Sequence, residues 1–285
     1  MSAPFRHSNR WVAVTAACIL ALPLYLHAEK KEFKYSVAPG ATVTIINQKG
    51  TITVKTAAGR QLLISANPAS DKVEVDASQT GNRISLRTHS LKATADEARV
   101  DYEIQAPADV NVTIDSGSGD VEVENLHGNV SLDAEEGQVK VTGVSGGFVQ
   151  VQSVNANISL TNVQKSRVQL ASTGGSIQLN NVSGPNVTAK TTAGTISFAG
   201  DFAGGGNYLF TSHSGDIGVS LPASASIDLT ARSIQGSVEN DFPLQKPAHS
   251  AFAVKEGKTL AGTSNSASSS VELRSFSGKI RLKKQ

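Results

Sequence analysis

One short pattern returns along this chain and limits what it can fold into. It reads Ser or Thr, two residues, Gly, one residue, a branched apolar residue, one residue, and another apolar residue. It occurs at Ser116 to Val123, Ser172 to Leu179, Thr191 to Phe198, Ser212 to Val219 and Ser275 to Leu282. Looser copies lie at Ala134 to Val141, Ser153 to Leu160 and Ser233 to Asn240. The corner position falls at Gly119, Gly137, Ala156, Gly175, Gly194, Gly215, Gly236 and Gly278, in steps of 18, 19, 19, 19, 21, 21 and 42 residues. The last step is two periods long, so one degenerate or looped-out turn is expected between Gly236 and Gly278. A second alternating segment lies half a period later, at Val130 to Leu132, Val149 to Val151, Val168 to Leu170 and Val187 to Ala189.

Alternate residues of a strand point to opposite faces. Val121 and Val123 therefore face inward while Glu122 and Glu124 face water. A single such strand cannot bury its apolar edge, but stacked copies can. The expected fold is all-β: a parallel β-helix or solenoid with two short strands per turn of about 18–21 residues. Val121, Val139, Ile158, Ile177, Ile196, Ile217 and Val238 would form one buried column. Val123, Val141, Leu160, Leu179, Phe198 and Val219 would form a second. The corner Gly would supply a positive φ and the preceding Ser or Thr a local hydrogen bond. Propeller blades need about 40 residues or more and carry other signatures. The hexapeptide repeat of left-handed helices is missing, so a right-handed coil is expected.

Residues 1–28 read as a signal peptide: Arg6 and Arg10, then the uncharged apolar run Trp11 to Leu26, then Ala28 before a cut. An uncleaved N-terminal anchor is the alternative, and would give membrane contact. Cys18 does not fit a lipoprotein, because most of the apolar run follows it. It is the only cysteine, so the exported chain would have no disulfide and no cysteine ligand or nucleophile. Export to the periplasm, cell envelope or outside is expected. The whole chain holds 26 basic and 24 acidic residues, and losing the two signal arginines leaves 24 against 24. That balance gives no electrostatic reason to bind nucleic acid. Residues 29–115 form a less regular β region, with the corner pattern already present at Asn47 to Val54. Residues 116–285 form the regular solenoid, with an inserted loop near 241–270. Pro243, Pro247 and the Ser/Ala-rich run Gly262 to Ser270 suggest that this loop is mobile.

The units Ser-x-x-Gly-x-Ile-x-Leu resemble the bacterial DUF4097 family, which carries an adhesin label. Asn240 to Leu244, Leu260 to Gly262 and Val271 to Leu282 are the most specific match, although Thr263 to Ser268 replaces the family's usual Gly-rich stretch. The resemblance covers roughly residues 40 to 282. It implies a β-solenoid behind a signal peptide or anchor, and brings no catalytic motif.

Asp115, Asp120, Asp133, Glu135 and Glu136 form an acidic cluster. It could hold calcium or serve a polysaccharide lyase, but a solvated outer face with Glu122 one coil from Lys140 explains it more simply. Gly117 to Asp120 lacks the nine-residue recurrence of calcium-binding repeats. His89, His127, His213 and His249 are scattered, without ligand spacing. The corner serines recur at every turn, which argues for structure over a nucleophile. Arg274, Lys279, Arg281, Lys283 and Lys284 make the C-terminus basic. They could meet anionic headgroups, or protect an open end from stacking. Acidic first turns and a basic last turn would make the rod dipolar and allow head-to-tail contacts. No catalytic, cofactor or metal residue is assigned. The expected function is a non-catalytic envelope or surface module for a protein or glycan partner. The alternatives are a carbohydrate-active solenoid enzyme and an envelope-stress protein that binds a signalling partner.

Overall fold

A computed structural model of the chain describes residues 29–90, 94, 96–202, 205–245 and 256–285. The signal or anchor segment lies outside these residues, as do Pro247 and His249. The described residues form 24 strands in two twelve-stranded sheets and no helix. None of them forms a helix long and apolar enough to cross a membrane.

The first sheet runs in space through Lys31–Ser36, Gln61–Pro68, Val100–Ala106, Ile52–Thr56, Val121–Glu124, Gln138–Thr142, Asn157–Thr161, Ile177–Asn180, Ile196–Ala199, Ile217–Leu221, Ile280–Lys284 and Val238–Asn240. The second runs through Val73–Thr80, Arg83–Ser90, Thr42–Lys49, Asn111–Ser118, Val130–Glu136, Phe148–Ser153, Arg167–Ser172, Asn186–Thr191, Asn207–Ser212, Ser269–Ser275, Ile227–Ser233 and Thr259–Ser264. Pairing is parallel and in register from Thr42–Lys49 to Ser269–Ser275. Twelve strands at the ordinary spacing make a stack roughly 50 Å long.

Register fixes the core. Val121, Val139, Ile158, Ile177, Ile196 and Ile217 stack in one buried column. Val123, Val141, Leu160, Leu179, Phe198 and Val219 stack in the next. The second sheet answers with Val112, Val130, Val149, Val168, Val187 and Tyr208. Where its parallel column shrinks to Ala189, the space is taken by aromatic rings: Phe198 stacks on Phe202 at 4.4 Å and meets Phe210 at 5.6 Å.

The ends depart from the sequence expectation. Among the described residues, the step from Gly236 to Gly278 holds the antiparallel strand Thr259–Ser264 and a coil that enters out of chain order. The final coil, Ser269–Ser275 with Ile280–Lys284, inserts between the coil of residues 207–221 and the coil of residues 227–240. Ile280 therefore follows Ile217 in the buried column, and Val238 comes after it. The other end mirrors this. Thr42–Lys49 lies between Arg83–Ser90 and Asn111–Ser118, and Ile52–Thr56 lies between Val100–Ala106 and Val121–Glu124. Antiparallel strands close three of the four sheet edges, Lys31–Ser36 on Gln61–Pro68, Val73–Thr80 on Arg83–Ser90, and Thr259–Ser264 on Ile227–Ser233, and the parallel strand Val238–Asn240 closes the fourth. The run Gly262 to Ser270, whose composition reads as loop, is thus strand on both sides of a short turn at Asn265 and Ala267, each with φ 52°. Its small side chains suit a buried edge as well as a loop: Gly262, Ser264 and Ser269 are buried.

The corner glycines also need correction. Gly119 (φ 125°) and Gly137 (φ 110°) have the expected left-handed backbone. Gly175, Gly194, Gly215 and Gly278 do not. There the constraint is space: a Cβ would run into the backbone carbonyl of the corner residue one coil before, Ala156, Gly175, Gly194 and Gly215 respectively.

Two outcomes follow. Gly194→Ala should cost about 1–3 kcal/mol by overpacking, whereas Gly218→Ala, with nothing within 4 Å of the added carbon, should stay within about 0.5 kcal/mol; urea unfolding measures both. Ending the chain at Ala267 should remove amide-exchange protection from 227–233 while Val130–Glu136 to Arg167–Ser172 keep theirs. Retained protection at 227–233 would show that this segment docks directly on Asn207–Ser212.

Candidate functional site

Three of the repeated hydroxyls accept the N–H of their corner glycine, whereas those of Ser116 and Ser212 are buried without a hydrogen-bond partner. Ser172 Oγ accepts the Gly175 N–H at 2.9 Å, Thr191 Oγ1 that of Gly194 at 3.1 Å, and Ser275 Oγ that of Gly278 at 2.8 Å. At three corners the next residue's side chain reaches to the following coil. Asp120 Oδ1 accepts the Gln138 N–H at 3.0 Å, Asn157 Oδ1 that of Ser176 at 3.0 Å, and Asp216 Oδ1 that of Lys279 at 2.8 Å. Gly119-Asp120 and Gly215-Asp216 therefore share a pattern because both aspartates tie successive coils together.

A third set of positions is not evident from the Ser-Gly repeat. After each of the five strands from Val121–Glu124 to Ile196–Ala199 comes a left-handed residue: Asn125 (φ 59°), Gly143 (69°), Asn162 (54°), Asn181 (53°) and Gly200 (140°). Asn tolerates this backbone, as Gly does. The side chains link, with Asn181 Nδ2 donating to Asn162 Oδ1 at 2.8 Å. A buried apolar residue follows: Leu126, Val144, Val163, Val182 and Phe202. Asn or Gly, at most one residue, then an apolar residue, every 18 to 20 positions, is the signal that could have found them.

The five acidic residues do not converge. Asp115 and Asp133 are neighbours in register on the outer face of the second sheet, flanked by Ile46 and Gln152. Asp120 serves its corner. Glu135 and Glu136 are exposed at the end of Val130–Glu136. Lys140 lies across the other sheet, 2.6 Å from Glu122, which it holds below the usual carboxylate range through a hydrogen bond. Among the described residues, no three His, Cys, Asp or Glu side chains group as metal ligands. His89 lies 3.0 Å from Asp76, His127 Nδ1 is 2.8 Å from Ser145 Oγ, and His213 stacks on Phe276 at 4.8 Å.

The basic C-terminal strand is not the open end of the stack. Val238–Asn240 lies outside it, and its Glu239 meets Lys279 at 2.9 Å and Arg281 at 3.2 Å. Arg274 pairs with Glu272 at 2.5 Å. Nor are the acidic turns terminal, because the coils of residues 42–56 and 83–106 lie beyond them. A rod with an acidic tip and a basic tip is therefore not what the chain builds.

The widest regular surface is the outer face of the second sheet. Its repeating strands from Asn111 to Ser212 run six to eight residues, against four or five for those of the first sheet between Val121 and Leu221. The central row on this face is Thr113, Ser131, Gln150, Gln169 and Thr188, all in register. Asn186 and Asn207 lie beside it. These hydroxyls and amides are uncharged and at least partly exposed.

Residues 41–283 match the family model described as Toastrack DUF4097. The chain belongs to this family. Three solved structures are similar to the Toastrack chain. One, described as a "putative adhesin" from Bacteroides fragilis, shares 14% identity over 90% of this chain and 97% of its own, with a TM-score of 0.45. Another "putative adhesin", from Parabacteroides merdae, shares 10% over 90% and 97%, with a TM-score of 0.30. A "putative cell adhesion protein" from Clostridium sporogenes shares 11% over 90% and 100%, with a TM-score of 0.26. No curated protein matches the Toastrack chain.

Glu239 offers a pH test of the terminal coil. Hydrogen bonds from Lys279, then Arg281, hold its carboxyl below the usual range. A lowered folded-state pKa contributes stability above the unfolded value of about 4.3 and loses it as pH falls through the folded value. Lys279→Ala should move the Glu239 titration midpoint upward, read by carboxyl NMR.

Proposed function

We propose that this Toastrack chain is an exported, non-catalytic envelope or surface module that binds a partner across the outer face of its second sheet. The observation that carries the reading is the in-register row Thr113, Ser131, Gln150, Gln169 and Thr188. Strand spacing sets these side chains roughly 4.8 Å apart. They offer donors and acceptors on a backbone whose own groups are already paired, so little order is lost on binding. A neutral polar row suits a glycan chain or the polar rim of a protein. Ser172, Ser275, Asp120 and Asp216 support the non-catalytic part, since each is committed to a corner.

Crosslinking from the protein's own envelope tests the face. Replacing Gln150 and Gln169 together by Arg should leave the unfolding free energy within about 1 kcal/mol of the parent. Crosslinked partner recovery should fall about tenfold, the loss of one or two buried hydrogen bonds. Undiminished recovery with this double variant would remove the face from the proposal.

A further inference from the structure

The interleaved C-terminal coils bring together residues far apart in sequence. Arg274, on the inserted strand, sits in register beside Arg232, on the strand outside it. Thr259 lies on the other side of Arg232. With Lys258, Thr230 and Ile234 they line an open cleft of about 780 Å³. That volume lies in the range of small-ligand sites.

The charges in this cleft do not balance. Its described lining holds Arg232, Lys258 and Arg274 against the single carboxylate of Glu272. Glu272 is taken by Arg274, at 2.5 Å and 2.6 Å. Lys258 Nζ donates to the carbonyls of Gln235, at 2.6 Å, and Gly236, which carry no net charge. Arg232 has no acidic partner among the described residues. Like charges on directly paired strand positions are destabilising, so an unpaired Arg beside a second Arg favours an anion between them. Guanidinium forks match oxyanions through paired N–H donors. Thr230 and Thr259 add hydroxyls, and Ile234, 55% exposed, adds an apolar wall of the kind a sugar ring can lie against.

We propose that this cleft binds an acidic saccharide unit, its carboxylate or phosphate held by Arg232 and Arg274 and its ring by Ile234 and the threonines. The assignment deepens the reading of the chain as a binding module and rests on it.

Calorimetric titration of the full chain with trigalacturonate, its neutral methyl ester and inorganic phosphate tests it. Trigalacturonate should bind. Arg232→Gln should weaken it about tenfold, the scale of a hydrogen bond to a charged group. Lys190→Gln, two strands from Arg274 and three from Arg232 on the same face, should leave it within about twofold at about 0.15 M salt, because surface charges separated by more than about 8 Å are then largely screened. Arg232→Lys should keep the charge and still lose most of the affinity. Equal loss in Lys190→Gln, equal binding of the methyl ester, or phosphate binding as tight as trigalacturonate would each overturn the proposal. If the parent ignores trigalacturonate yet keeps its envelope partner, the cleft alone fails. If trigalacturonate binds while partner recovery is unaffected by the Gln150 and Gln169 changes, the face fails and the cleft stands.

Discussion

Everything in this structure depends on the backbone contact between one coil and the next. A parallel pair allows one chain to hydrogen-bond its neighbour only if both keep the same rise and register. At the corners the coils approach so closely that Gly194 has no room for a Cβ beside the carbonyl of Gly175, nor Gly215 beside that of Gly194. Ser172, Thr191 and Ser275 then fix the bend by accepting the N–H of the corner glycine. The corner thus sets the coil circumference, the circumference sets the register, and the register puts Val, Ile and Leu in columns. Hydrophobic burial follows from that geometry.

A stack of this kind has two open ends, which would recruit further strands. The chain answers by placing its first and last coils inside the stack, with one to three strands beyond them, and closing three of the four sheet edges with antiparallel strands. Val238–Asn240, the terminal strand of the first sheet, has only three residues, and Glu239 fastens it to Lys279 and Arg281. Lys279 and Arg281, which look like edge protection in sequence, instead bind the outermost strand to the penultimate one. Arg274 and Arg232 meet through the same interleaving.

The regular part of this fold was legible because identical corners demand identical residues. The Ser-x-x-Gly spacing carried the strand pairs and both buried columns of the first sheet from Val121 to Val219. The ends were not legible, because pattern spacing gives order along the chain and not order in space. The 42-residue step from Gly236 to Gly278 fits a looped-out turn as well as an inserted coil, and only tertiary pairing separates them. The asparagine corner at Asn125, Asn162 and Asn181 escaped notice because Gly143 and Gly200 alternate with it, although both residue types meet one left-handed requirement. The candidate surfaces divide the same way. Gln150 and Gln169 could be placed on one outer face from the period alone, but nothing in sequence sets Arg232 beside Arg274.

A repeat that succeeds as a scaffold repeats its surface as well, so the middle of the stack can offer breadth but little that is unique. Distinct chemistry has to arise where the repeat breaks. Here it breaks where the last coil enters out of sequence order, and that is where unbalanced charge, an exposed Ile234 and a concave surface coincide. The outer row of the second sheet and the C-terminal cleft are therefore complementary: the first can hold an extended partner without selecting a point along it, and the second can select one group. In the binding role proposed for this chain, the regular coils would supply contact area and the irregular end specificity.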